Sequence, residues 1–182
     1  MNTLISKLNK RANKDIFYKL NGLVGRNKFL DKFFVFWARD FLGVFFLSSV
    51  LAYLWPGLVE SIELNRSRVV AVFLITSFSW LISVLIKHAH FTPRPYMKRD
   101  KRLNSLLKKS RKSSAFPSGH ATIFFSIASS LFLFVPSLSI VMFIVAIIVS
   151  LSRIVTGLHW PIDILGGAII GTAVPFIINA MV

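Results

Sequence analysis

Apolar residues fall into five runs along the chain, at 33–55, 69–86, 118–135, 138–152 and 162–182, with polar and charged residues gathered between them. A hydrocarbon layer of about 30 Å takes roughly 20 helical residues at about 1.5 Å each. The first and last runs reach that length. The middle three are shorter and either extend into their flanks or end where protein shields them. The pattern predicts an all-α protein: an integral membrane helical bundle of about five transmembrane helices forming one domain over 33–182. Ahead of it, Ile16, Phe17, Leu20, Leu23 and Val24 recur at helical spacing, with Lys14, Lys19 and Arg26 among them. Residues 1–32 therefore read as a basic amphipathic helix lying in the membrane interface, broken around Gly22 and Gly25. No apolar stretch follows the early lysines, so this is not a secretory signal.

Composition sharpens that picture. Hydrophobic residues make up 54% of the 182 positions, 18 of them Phe, which is more than a soluble domain of this size usually carries. The chain lacks cysteine, which excludes disulfides and thiolate metal sites. A formal charge of +15 is compatible with nucleic acid, but the cations flank the apolar runs. Anionic headgroups or phosphorylated lipids fit better, so the expected partners are a bilayer and a lipid phosphate, not nucleic acid. Nine of the 22 Lys and Arg lie in 1–39 and ten in 87–112. With five spans, the N-terminus, the 87–117 loop and the 152–163 segment share one face. The positive-inside rule makes that face cytoplasmic, although it counts cations that bind substrate as readily as those that orient the chain.

Three clusters at the ends of apolar runs carry the candidate chemistry: Lys87 with Arg94-Pro95, Pro117-Ser118-Gly119-His120, and Ser152-Arg153 with His159 and Asp163. His159 and Asp163, four apart near the helix-starting Pro161, fall on one helical face. The carboxylate can orient the imidazole, whose free nitrogen can attack phosphorus. Equally, Asp163 can simply cap a first helical turn. Pro117–His120 opens a helix, where free N–H groups, Gly119 and the Ser118 hydroxyl can receive an anion and His120 can act as general acid. An ordinary Ser N-cap reads the same way. Lys87 alone reads as an anchor at a span end. Arg153 is harder to dismiss, since charge that ends an apolar run is costly. Two Arg and one Lys around a phosphoryl group would stabilise its transition state. No second carboxylate accompanies them, which disfavours a metal–carboxylate phosphatase. The conjunction of all three clusters on one face favours the chemical reading over three bland ones.

These residues closely resemble the type 2 phosphatidic acid phosphatase superfamily, which also includes vanadium haloperoxidases. Its pattern is Lys, six residues, Arg-Pro; then Pro-Ser-Gly-His; then Ser-Arg, five residues, His, three residues, Asp. Residues 69–180 carry it without a substitution. The resemblance implies that His159 is a nucleophile forming a phosphohistidine, Asp163 its orienting partner, and His120 the acid for the leaving group. Lys87, Arg94, Ser118, Gly119 and Arg153 correspond to phosphate-binding residues, and neither a metal nor another cofactor is implied. The superfamily's core usually has six helices, against five runs here.

The apolar spans argue for a lipid substrate. The opening stretch, Ile16-Phe17-Tyr18-Lys19-Leu20-Asn21-Gly22 followed by Asn27-Lys28, Leu30 and Asp31, looks similar to bacterial undecaprenyl-diphosphate phosphatases of the superfamily. That implies hydrolysis of undecaprenyl diphosphate to undecaprenyl phosphate in the bacterial inner membrane. It also implies an active site on the periplasmic or outer face, against the charge count. Rival readings are a lipid A or phosphatidylglycerophosphate phosphatase, a lipid phosphotransferase, and a non-enzymatic membrane scaffold. His88 and His90 match no motif position and read as surface or loop residues. Gly167 and Gly171 read as a close helix contact. Arg39-Asp40 reads as a local ion pair near the interface.

Overall fold

The computed structural model describes residues 2–54, 65–98, 102–107 and 113–181. Trp55 and Val182, which end two predicted spans, and residues 99–101 and 108–112 of the 87–117 loop lie outside the described residues. Helix α1 (Asn2–Asn21) is followed by α2 (Lys28–Val35), which runs through a π-helical turn (Phe36–Asp40) into α3 (Phe41–Leu54). Then come α4 (Arg66–Ala89), α5 (Gly119–Phe132), α6 (Pro136–Val155) and α7 (Pro161–Met181).

Local chemistry sets these limits. Asn27 caps α2 by accepting the Phe29 N–H at 2.7 Å, and Asn65 caps α4 by accepting that of Arg68 at 3.0 Å. Pro136 and Pro161 open α6 and α7, where a missing N–H is harmless. Pro136 also drives Val135 out of helical geometry, to φ −142°. That break explains why the predicted 118–135 run yields a helix of only 14 residues. The predicted breakpoint after α1 is present, with the chain turning at Gly22 and reaching φ +84° at Gly25. The Asp31 carboxylate accepts the Gly25 N–H at 3.1 Å and fastens that turn to α2.

Helices α4, α6 and α7, with 24, 20 and 21 residues, are long and apolar enough to cross a membrane. Their outward residues, including Phe73, Leu85, Ile144, Ile147, Leu165 and Ile169, are exposed, as lipid-facing side chains are. Helix α5 spans only about 21 Å at 1.5 Å per residue. It lies among α4, α6 and α7, and Ala121, Phe124, Ser126 and Ala128 along it are buried. The predicted first span is helical throughout from Lys28 to Leu54, with the π turn between two α-helical pieces.

Small residues bring the central helices together. A Cβ on Gly167 would lie 2.5 Å from the Ser118 carbonyl oxygen, and one on Gly171 would lie 2.4 Å from that of Thr122. The predicted close contact is therefore between α7 and the start of α5. Farther along α5, the Ser126 hydroxyl hydrogen-bonds that of Ser79 on α4 at 3.0 Å. The amphipathic helix α1 does more than present an apolar face: Phe17 is fully buried against Ala115, Ile154 and Trp160.

Because the Thr122 carbonyl, the Ser126 amide and the Cβ of Phe125 stand opposite Gly171, no flexible side-chain end there can yield. Gly171→Ala should lower stability by about 1–3 kcal/mol, the usual range for overpacking. Gly43, with nothing within 4 Å of an added Cβ, is the control. Gly43→Ala should be neutral or stabilise by up to about 1 kcal/mol. Thermal unfolding of the two variants in detergent checks both.

Candidate active site

The antiparallel order of the bundle gathers four helix ends at one place: the C-termini of α4 and α6 and the N-termini of α5 and α7. Lys87 lies in the last turn of α4, and Arg153 in the last turn of α6. Beyond α4 the chain is fastened to the stretch that leads into α5. Ala115 N–H donates to Thr92 O at 2.8 Å, and Thr92 N–H donates to the Ser114 hydroxyl at 3.1 Å. Arg94 is buried between these stretches. Its Nε donates to Ser113 O at 3.1 Å and its Nη2 to Ser114 O at 3.3 Å. Arg153 is anchored from the other side, its Nη1 donating to the carbonyl of Ala38 in the π turn. Such turns displace backbone groups from regular helical register and recur at functional sites.

With these anchors in place both guanidiniums reach one atom. Arg94 Nη1 and Arg153 Nη2 each lie 3.3 Å from His159 Nε2. A guanidinium has only donors, so Nε2 must offer its lone pair and the ring proton must sit on Nδ1. Burial, then the charges of Arg153, Arg94 and Lys87, hold the His159 pKa well below its ordinary value of 6.5. Burial likewise lowers Arg94, against a smaller opposing pull from Tyr96 and Asp163.

One detail departs from the spacing argument. Helix α7 begins at Pro161, so His159 lies in the preceding loop and not on a shared helical face with Asp163. A turn through Gly157 at φ +79°, a conformation that favours glycine, delivers it there. The loop is held by Leu158 and His159 N–H groups donating to Arg153 O at 3.0 and 3.2 Å. Asp163 Oδ2 accepts the Trp160 N–H at 2.8 Å and also stands 3.5 Å from His159 Nδ1. His159 Nδ1 has no hydrogen-bond partner among the described residues. The two readings of Asp163 are thus compatible: one oxygen caps the helix start and faces the ring.

Lys87, Arg94, Gly119, His120, Arg153 and His159 line one cavity of about 240 Å³. Ser118 and Asp163 lie behind its wall, both fully buried. Ser118 stands at the N-cap of α5 but its hydroxyl does not cap it; the Ser118 N–H donates to Asp163 O at 2.9 Å. This bond ties the second cluster to the third. Gly119 leaves room for the ammonium of Lys87, which would be 3.2 Å from an added Cβ. His88 and His90 are exposed, as expected for residues outside the site.

The remaining wall is Leu42, Trp80, Ile123 and Ser113. None of these was read from the sequence as a site residue, although Trp80 sits two turns before Lys87 and Ile123 three residues after His120, both face-sharing spacings. The Ala38 carbonyl carries no sequence signal at all. Among the described residues, no three His, Cys, Asp or Glu are grouped to hold a metal ion.

Comparison with known proteins bears directly on this geometry. The pattern of the PAP2 superfamily matches residues 68–182, which is α4 to the end of the chain. The chain belongs to the PAP2 superfamily. The protein is also similar to YbjG of Escherichia coli strain K12, at 27% identity over 164 residues that cover 89% of this chain and 78% of that one. It is 26% identical to the undecaprenyl-diphosphatase BcrC of Bacillus subtilis strain 168 over 165 residues, 91% of this chain and 81% of that one. Among solved structures, Aquifex aeolicus LpxE shares the fold with a TM-score of 0.74 at 24% identity, over 93% of this chain and 95% of that one. PAP2 membership and apolar spans together make this a membrane protein of a phosphatase family.

Arg153 uses two arms of its fork at once, on Ala38 and on His159. A lysine offers one point charge and cannot do both. If Arg153 binds phosphate, as the superfamily resemblance implies, Arg153→Lys should weaken inorganic phosphate binding about tenfold, the order expected for loss of one charge-assisted hydrogen bond. Calorimetric titration of the detergent-solubilised protein measures it.

Proposed function

We propose that this protein hydrolyses the terminal phosphate of a membrane lipid phosphate, with undecaprenyl diphosphate as its substrate and His159 as nucleophile. The observation that carries the reading is the convergence of Arg94 and Arg153 on His159 Nε2, 3.3 Å from each, in a cavity that Lys87 also lines. A phosphoryl group brought to that nitrogen meets three cations around its oxygens. They oppose the charge that develops as phosphorus becomes five-coordinate. The neutral ring presents its lone pair to phosphorus while Nδ1–H faces Asp163, which stabilises the cation formed as the P–N bond forms.

As the bond from phosphorus to the leaving oxygen breaks, the lipid monophosphate takes a proton from His120, which lines the same cavity. Water then attacks the phosphohistidine, His120 takes its proton, and inorganic phosphate leaves with His159 restored. Gly119 and Ser118 hold the start of α5 against the phosphate site. Leu42, Ile123 and Trp80 give the cavity an apolar side suited to the first carbons of a lipid chain. Relatives such as the undecaprenyl-diphosphatase BcrC support the polyprenyl assignment. With that assignment the site faces the outer side of the bacterial cytoplasmic membrane. Lys87, Arg94 and Arg153 then answer to substrate charge, but leaving them out still places 17 of the remaining 19 Lys and Arg on this face, so the assignment runs against the positive-inside count.

Phosphate release is measured in detergent with EDTA, using undecaprenyl diphosphate, phosphatidylglycerophosphate, phosphatidic acid and lipid A. Release should be fastest from the polyprenyl substrate and absent in His159→Ala. Equal release in that variant removes the nucleophile assignment, and preference for another lipid removes the substrate assignment. The pH profile adds a second check. Because the folded-state pKa of His159 is depressed, the ring is already neutral at pH 6.5 and stays so as pH rises. Activity governed by this group should be lost only as pH falls, with the acid limb of kcat/KM centred below 6.5.

A further inference from the structure

Helix α1 lies outside the region matched by the superfamily, and none of its residues lines the cavity. Yet three of its side chains, Asn13, Phe17 and Asn21, fall on one face at spacings of four and all reach the segment that carries His159. Asn21 is fully buried and bridges two loops. Its Nδ2 donates to Val155 O at 2.8 Å and to Asn104 O at 2.6 Å, while its Oδ1 accepts the Asn104 N–H at 2.9 Å. Val155 is the last residue of α6, two beyond Arg153 and four before His159. Gly157 lets this join close up, since a Cβ there would lie 3.3 Å from Asn104 O and 3.7 Å from Asn21 Nδ2.

One turn earlier, the Phe17 ring packs 4.7 Å from that of Trp160, centroid to centroid. Trp160 follows His159 directly. Its backbone N–H is the one held by Asp163, and its indole donates to Pro93 O at 3.1 Å, beside Arg94. Near the other end of the segment, Asn13 Oδ1 accepts the Ile162 N–H at 3.0 Å. The 155–162 segment is therefore pinned at its start, middle and end by a helix that brings no group to the reaction.

We propose that α1 is a splint for the loop that carries the nucleophile, with Asn21 and Phe17 as positioning residues for His159. The inference rests on the reading that His159 attacks phosphorus. It assigns a role to the Phe17–Asn21 stretch singled out in the sequence. Since the hydrogen bonds that tether Arg94 and Arg153 come from Ser113, Ser114 and Ala38 and none from α1, loosening the splint should impair the attack far more than substrate binding. A displacement of about 1 Å at a reacting atom can reduce a rate by about a hundredfold.

The test uses the full chain in detergent with undecaprenyl diphosphate, or whichever lipid the substrate panel shows to be turned over. Asn21→Ala should lower kcat by roughly 10- to 100-fold with KM changed less than about twofold. Phe17→Ala should behave alike, while Phe17→Leu, which keeps an apolar body against Trp160, should recover most of the lost kcat. Amide hydrogen exchange over 156–160 should speed up in Asn21→Ala while exchange in the middle of α6 stays as in the parent. If Asn21→Ala does not purify folded, Asn13→Ala replaces it and should show a smaller fall confined to kcat. Unchanged kcat, a loss expressed in KM, or unchanged exchange over 156–160 would each overturn the splint. His159→Ala separates the two readings. Activity retained in it refutes the nucleophile, whereas the exchange result judges the attachment of α1 to the loop independently.

Discussion

Arg94 and Arg153 place their guanidiniums 3.3 Å from the same nitrogen of His159, and like charges so close in a largely buried site repel. Much of the surrounding architecture is what holds them there. Arg153 is tethered by the Ala38 carbonyl and Arg94 by the carbonyls of Ser113 and Ser114. Each tether is a backbone acceptor, so each offsets positive charge without introducing a carboxylate that would compete with a phosphate. A buried charge left unpaired is expensive. The tethers come from parts of the chain far apart in sequence, and this makes the site a product of the whole fold. The α2–α3 segment contributes through its π turn. The 113–115 stretch contributes by being fastened to Thr92.

That arrangement needs the helix ends to sit close, and the α5–α7 contact meets the need. Gly167 and Gly171 remove the side chains that would hold α7 away from the carbonyls of Ser118 and Thr122. The same approach lets Ser118 N–H reach Asp163 O. A chain of contacts therefore runs from packing to chemistry: glycines set the helix separation, which sets the Ser118–Asp163 bond, which sets the carboxylate beside His159. Van der Waals fit and hydrogen bonding carry this seam, as they must where lipid removes most of the hydrophobic drive between helices.

The sequence made the chemistry more legible than the scaffold. The three clusters at the ends of apolar runs single out eight residues, of which Lys87, Arg94, Gly119, His120, Arg153 and His159 line one cavity while Ser118 and Asp163 lie behind its wall. Histidine and the charged side chains are rare in apolar runs, so each of those stands out. The anchors do not: a carbonyl such as that of Ala38 belongs to every residue, and a π turn inside an apolar run has no compositional mark. Helix length misled at the end of the 118–135 run, where residues 133–135 are apolar yet form the turn that leads into Pro136. The position of His159 before α7 escaped for a related reason, since i, i+4 spacing implies a shared face only if both residues are helical. In α1 the apolar face was legible, but its partner was not. Phe17 reads equally well as a residue facing lipid or one facing Trp160, because periodicity reports that a face is apolar and not what covers it.

A histidine is well matched to such a setting because it can be neutral. Any anionic nucleophile placed between two guanidiniums would bind them as an ion pair and would have to break that pair to attack. A lysine would add to the repulsion. The His159 ring, held neutral by burial and by the cations, instead accepts from them through a lone pair. Phosphate oxygens, carrying full negative charge, are stronger acceptors than an imidazole nitrogen. On the proposed reading, a phosphoryl group entering the cavity draws both guanidinium arms from Nε2 to its own oxygens, and the same exchange exposes the lone pair that must attack. Substrate binding and activation of the nucleophile then become one event. The tethers on Ala38, Ser113 and Ser114 keep the guanidiniums near enough for that exchange to need only a small rotation.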